Sequence, residues 1–241
     1  MKGLVTLGML RALEENAPEG QPLHQQFDMV AGTSTGAIIA VGIALGYTAT
    51  EIRNIYLESL AEAFDQRRNE VSSALYDATK GVVELLAKRK FELPDELLKR
   101  IGSNNLRFAY DLEPFRKALL PLLKNAPINN TARTIGDLTH DKHPIVFMTA
   151  KDVYNGNTNF VVTAGKGRRK FMDWPIPGAV AASGAAPIFF PPVAQRFVDG
   201  GVGAFGNPCL AAATEALTYL GQFPGNDPEY KWVWLLWILP I

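Results

Sequence analysis

The sequence predicts a three-layer α/β fold with a largely parallel central sheet, and three observations carry that expectation. Short apolar runs of strand character alternate along the chain with longer segments of helical period, the pattern of a parallel sheet with helical crossovers. One of those runs, Met29 to Ala31, breaks through Gly32-Thr33-Ser34-Thr35-Gly36 straight into an apolar helix beginning near Ala37, a junction too tight for an ordinary loop. At 241 residues the chain is long enough for one sizeable core and nothing in it forces a second, so a single domain over 1–241 is expected.

The elements follow in order. Leu4, Leu7, Leu10 and Leu13 mark an amphipathic N-terminal helix rather than a secretory signal. Ala17-Pro18-Glu19-Gly20 makes a loop, and Phe27 to Ala31 supplies the strand that feeds the G-x-S-x-G turn. The helix Ala37 to Leu45 is apolar nearly all round and should be buried, stopping at Gly46. Thr48 with Glu51 three residues on forms a capping box for a helix through about Ala63. From Asp65 to about Leu123 the charge density rises and helical patterns are broken by Pro94, Gly102 to Asn105 and Pro114, which reads as a helical insertion or cap over the sheet.

Strand character returns at Ile145 to Met148 and Thr158 to Val162, joined through Asn155-Gly156-Asn157 as a hairpin. A small-residue helix is expected over Gly178 to Ala186, then Pro187-Ile188-Phe189-Phe190-Pro191-Pro192, then a short strand Arg196-Phe197-Val198 ending in Asp199-Gly200-Gly201. The apolar run Trp232 to Ile241 reads as a buried strand, being too short to cross a bilayer as a helix of about 20 residues.

Composition narrows the function classes. With 24 basic and 24 acidic side chains the formal charge is zero, so no global field draws the protein to nucleic acid or an anionic bilayer. The single cysteine, Cys209, excludes an internal disulfide and reads as a small buried apolar residue. Two features invite a ligand reading and support a plainer one. His140 and His143 share an H-x-x-H spacing without a third ligand, so no metal is expected. Lys166, Arg168, Arg169 and Lys170 form a basic loop that lacks P-loop spacing and reads as solvated, a phospholipid headgroup being the minority alternative.

The chemistry centres on Ser34. In a strand-to-helix turn, glycines two positions either side let the flanking backbones pass, and the middle hydroxyl is held up toward a substrate carbonyl. A serine hydroxyl needs a base. In an ordinary α/β-hydrolase triad the histidine follows serine and acid, yet His24 precedes the turn and His140 and His143 flank Asp141 in a polar turn far from the C-terminal end. Asp199 is the other candidate: it closes a strand and is followed by two glycines that allow close backbone approach. On this segment alone, a turn aspartate capping the next loop is an equal alternative.

Three stretches in order resemble the patatin-like phospholipases: Gly32-Thr33-Ser34-Thr35-Gly36, the run Ala182-Ser183-Gly184-Ala185-Ala186-Pro187 with its Phe-Phe-Pro-Pro continuation, and Asp199-Gly200-Gly201. The agreement extends from about Lys2 to about Ala213 and includes Ile135-Gly136-Asp137-Leu138. The resemblance implies a patatin-like α/β sandwich and a Ser-Asp dyad that hydrolyses fatty-acyl esters without calcium or any other cofactor. By position, Ser34 would be the nucleophile and Asp199 its base, with the Thr35 N–H and Gly3 contributing to an oxyanion hole. The implied partners are a phospholipid or other lipid ester and, at the periphery, a membrane or micelle surface, which is compatible with a cytoplasmic or membrane-peripheral location. Phe189 and Phe190 are candidates for the wall of an acyl pocket, against the plainer reading that they are core.

The family pattern D-G-G-G-x-[KR]-G is represented here only by Lys2-Gly3. The expectation is therefore a domain whose first strand and Gly-rich loop are missing, incomplete at the N-terminus and at the C-terminus. A lipid acyl hydrolase of phospholipase A type is the leading reading, and a catalytically impaired fragment or binding homologue is the alternative.

Overall fold

The computed structural model describes residues 3–60, 112–138, 144–163, 171–187 and 189–219. The expected insertion falls mostly outside the described residues, as do His140, His143, the basic loop at 166–170 and the final apolar run.

Helix α1 (Gly3–Glu15) buries Leu7 and Leu10 and leaves Leu13 41% exposed. The spacing of three explains this: at 100° per residue, leucines three apart drift by about 60° at each step, so the fourth has left the buried face. A single 3-10 turn, Pro18–Gly20, and the short α2 (Leu23–Gln26) lead to strand β1 (Met29–Gly32). Helix α3 (Thr35–Ala44) follows at once, buried at every position from Gly36 on, which is why its sequence shows no polar face.

Helix α4 (Ala49–Ile55) starts with the expected capping box. Thr48 Oγ1 accepts the Glu51 N–H at 3.2 Å and Glu51 Oε2 accepts the Thr48 N–H at 2.8 Å, an arrangement that stabilises a helix start by about 1 kcal/mol. It runs on as a π-helical turn, Tyr56–Leu60. Helices α5 (Leu112–Ala118) and α6 (Leu120–Lys124) and a 3-10 turn at Ile135–Leu138 then add Phe115, Leu122, Ile135 and Leu138 to the core.

The sheet is organised around β2 (Ile145–Asp152). β1 lies parallel to it, Val30 opposite Val146 and Gly32 opposite Met148. β3 (Thr158–Val162) returns antiparallel through the Asn155-Gly156-Asn157 turn, with Phe147 opposite Val162 and Lys151 opposite Thr158. Helix α7 (Ile176–Gly184) precedes β4 (Phe197–Asp199), which also pairs antiparallel with β2, Ala150 opposite Asp199 and Asp152 opposite Phe197.

Since β3 occupies one edge of β2, β1 and β4 must share the other. They run toward each other along it, and their tips meet across Thr149. This mixed arrangement, rather than a parallel crossover, is what brings the end of β1 to the end of β4.

Alternation on β2 assigns the two faces. Val146 and Met148, with Val30 and Val161, pack against α1, α3, α4 and α7. Met29, Phe147 and Val162 point the other way and pack on Ala212 and Ala216, from α8 (Cys209–Thr214) and the π-helical turn Glu215–Tyr219. The molecule thus has helices on both faces of the sheet, the three layers expected of the sequence. Cys209 differs from expectation: it opens α8 half-buried, where its N–H is held by Asn207 Oδ1 at 3.1 Å.

Candidate active site

The turn after β1 is strained at one residue. Ser34 has φ 58° and ψ −124°, a conformation that costs an L-residue about 1–3 kcal/mol and that persists only where the surroundings enforce it. Gly32 is part of that enforcement. A Cβ there would stand 2.1 Å from the Gly36 carbonyl oxygen and 2.6 Å from the Ala37 nitrogen, so the strand and the helix cross where only glycine fits. Across the turn the Gly36 N–H reaches the Thr33 carbonyl at 2.9 Å and the Ala37 N–H reaches the Ser34 carbonyl at 3.0 Å.

Below the turn, Thr33 is fully buried and its hydroxyl donates to the Phe205 carbonyl at 2.8 Å. It therefore accepts from the Thr149 hydroxyl, 2.7 Å away, since a single proton cannot serve both bonds. Ser34 itself remains half-exposed.

Asp199 closes β4 with 7% of its surface exposed. Its N–H donates to the Ala185 carbonyl at 3.0 Å, and its Oδ1 accepts the Gly201 N–H at 2.7 Å. The capping role weighed for this aspartate is therefore present. The other role has its geometry too: the Ser34 side chain lies close enough to the same carboxylate to favour its ionised form. Burial pushes the Asp199 carboxyl above its ordinary value, and the neighbouring Ser34 hydroxyl and the Gly201 N–H pull it part of the way back.

Gly200 has to be glycine because the turn lies directly on Thr149. A Cβ would fall 2.1 Å from Thr149 Oγ1 and 2.6 Å from its carbonyl oxygen. Gly201 lies beside it, with its Cβ position 3.1 Å from Asp199 Oδ1 and 3.8 Å from Thr33 Cγ2.

The remaining expected positions are distributed as follows. Thr35 opens α3, and its N–H, left free by the helix pattern, has no acceptor among the described residues. Gly3 opens α1, where its Cβ position is 3.1 Å from the Tyr56 hydroxyl. That hydroxyl lies beside the Thr35 side chain outside good hydrogen-bond geometry, so Tyr56 stands between Gly3 and Thr35. Burial pushes the Tyr56 phenol up to about 12, which keeps it neutral.

Phe189 and Phe190 part company. Phe190 is buried with its ring 5.3 Å from that of Phe115, whereas Phe189 is 46% exposed. His24 lies in α2, ahead of β1. Among the described residues no cluster of three or more His, Cys, Asp or Glu could hold a metal, and no helix is long and apolar enough to cross a membrane.

Sequence reasoning about the site passed over Ser183, Thr149 and Phe115. Ser183 Oγ accepts the Ser34 N–H at 3.1 Å. Its only advance signal was its place in the Ala-Ser-Gly-Ala-Ala-Pro run. Thr149 and Phe115 carried none, because each acts through a contact distant along the chain.

The whole of residues 1–213 matches the family described as patatin-like phospholipase, and the chain belongs to that family. It is 44% identical to the cUMP-AMP-activated phospholipase of Escherichia coli over 84 residues, covering 34% of this chain and 26% of that protein. The 85/88 kDa calcium-independent phospholipase A2 of Mus musculus is 28% identical over 226 residues, 91% of this chain and 23% of its own length. The cGAMP-activated phospholipase of Vibrio cholerae is 24% identical over 246 aligned residues, 95% and 58% of the two chains. The chain spans between 23% and 58% of the length of these three relatives.

Proposed function

We propose that the chain is a lipid acyl hydrolase of phospholipase A type in which Ser34 is the nucleophile and Asp199 the base. The observation that carries the reading is a strained, half-exposed serine whose side chain lies beside a buried carboxylate.

Ser34 Oγ attacks the ester carbonyl carbon while its proton passes to Asp199. The C=O π pair moves to the carbonyl oxygen, which becomes an oxyanion facing the free Thr35 N–H at the positive end of α3. Collapse breaks the C–O bond, and the leaving alkoxide takes the proton from Asp199. Water then attacks the acyl-enzyme, again losing its proton to Asp199, and the fatty acid leaves as Ser34 recovers its hydrogen. The burial that raises the Asp199 carboxyl makes it a better base near neutral pH than an exposed aspartate. No step requires a metal, in keeping with the expected independence of calcium.

Phe190 with Phe115 supplies the apolar wall for the acyl chain, since both are buried and Gly184 links them to the turn: its Cβ position is 3.5 Å from the Phe115 ring and 3.9 Å from the Ser34 carbonyl carbon. The substrate is a phospholipid or other lipid ester presented at a membrane or micelle surface.

A fluorophosphonate probe tests the reading. It should label the wild-type chain at Ser34 and fail to label Ser34→Ala. Absence of labelling in a folded wild-type chain would reject the hydrolase in favour of a binding homologue.

A further inference from the structure

One short segment touches both members of the proposed pair. At the end of α7, Ser183 Oγ accepts the Ser34 N–H at 3.1 Å, and two residues later the Ala185 carbonyl accepts the Asp199 N–H at 3.0 Å. Gly184, between them, faces the Ser34 backbone. Ser183 and Ala185 are both fully buried, and α7 packs on α3, β2 and β4, the elements that carry or adjoin the two side chains.

The Ser34 N–H needs such a partner. With φ at 58°, this amide belongs neither to the β1 ladder nor to the hydrogen bonds of α3, so a partner must come from another element of the fold. A serine hydroxyl projecting from a different element meets that need and, in doing so, ties the strained residue to α7.

We propose that Ser183-Gly184-Ala185 is a positioning clamp that sets Ser34 and Asp199 relative to each other, with Ser183 as a positioning residue for the nucleophile. The inference rests on the reading of Ser34 and Asp199 as an acyl-transfer pair. Because both contacts come from one rigid helix end, a movement of α7 carries the two residues together and preserves their contact. The Ser183 bond holds the Ser34 backbone and touches no part of the substrate, so its loss affects turnover rather than binding.

The test compares the chain with Ser183→Ala and Ser183→Thr, using p-nitrophenyl butyrate hydrolysis, thermal melting and hydrogen exchange of the Ser34 amide. Ser183→Ala should lower kcat by about 10- to 100-fold, the scale of a small misplacement of a reacting group. KM should stay within about twofold, as expected when ground-state binding is untouched. Exchange at Ser34 should speed up by about tenfold or more relative to Val30 in β1, which reports a local opening rather than global loosening. Ser183→Thr keeps the acceptor oxygen and should restore kcat to within about threefold of wild type. If that variant does not fold, Ser183→Cys, a weaker acceptor, should fall between wild type and Ser183→Ala.

Wild-type kcat together with unchanged Ser34 exchange in Ser183→Ala would overturn the clamp. So would a folded Ser183→Thr as impaired as Ser183→Ala. A wild-type chain that neither hydrolyses ester nor reacts with fluorophosphonate overturns the acyl-transfer reading instead. The clamp is then decided by exchange alone, supported by acceleration at Ser34 and rejected without it.

Discussion

The two halves of the site are built in opposite ways. The turn of the serine half is local: Gly32, Ser34 and Gly36 lie within five residues, and the forced turn comes from a strand running straight into a helix. The aspartate half is assembled from a distance. Asp199 is placed by the pairing of β4 with β2, by the Ala185 carbonyl and by a glycine turn resting on Thr149. The turn itself fails when its own residues change and is tied to the rest of the fold at a few points such as Ser183, whereas the placement of the aspartate depends on partners throughout the fold.

The sharpest way to break the comparison is to remove chemistry from each half in turn. Ser34→Ala and Asp199→Asn should each lower kcat/KM by about 10³-fold or more, as for residues acting as one unit. Their stabilities should differ from those of packing variants. A buried carboxyl whose pKa is raised by folding binds its proton more tightly in the native state than in the unfolded chain. Ionised Asp199 therefore costs stability at neutral pH, a cost relieved as pH falls through its raised pKa. Asp199→Asn, which keeps an oxygen for the Gly201 N–H, should melt no lower than wild type while losing activity. A large drop in melting temperature would contradict this.

Stability distinguishes the halves next. Gly32→Ala meets backbone at 2.1 Å within its own turn and should cost about 3 kcal/mol or more by denaturant titration. Gly200→Ala meets Thr149 Oγ1 at the same distance, so part of its penalty comes from a side chain. Shortening that neighbour in a Thr149→Ala, Gly200→Ala double variant should recover some stability, while no second-site change of this kind should rescue Gly32→Ala. Equal rescue of both would blur the distinction.

A smaller effect concerns pH. The base must be ionised in the free enzyme, and its carboxyl is raised by burial, so kcat/KM should fall on acidification with a midpoint above 3.8. A limb at or below that value would mean that Asp199 is not the titrating base. The smallest effect is a control away from the site. Thr48→Ala breaks the α4 capping box and should cost about 1 kcal/mol with kcat unchanged.

Legibility in the sequence follows the same divide. The strand, turn and helix around Ser34, the capping box of α4 and the Asn155-Gly156-Asn157 hairpin could all be read in advance because each is written in a few neighbouring residues. What could not be read depends on pairing. Nothing in Phe197-Val198-Asp199 announces that the strand lies antiparallel along the same edge of β2 as β1, yet that placement brings Asp199 to Ser34. Likewise the Phe-Phe dipeptide gives no hint that one ring is buried against Phe115 and the other faces solvent. The leucine spacing of α1 overstated its buried face because a three-residue repeat drifts round a helix.

The central claim is that the two halves act as one unit, and a double-mutant cycle in kcat/KM for lipid ester hydrolysis tests it most directly. Ser34→Ala, Asp199→Asn and the double variant should all fall to about the same residual rate, because removing either partner already disables the other. Losses that multiply in the double variant, or an Asp199→Asn chain that keeps its activity, would contradict the account.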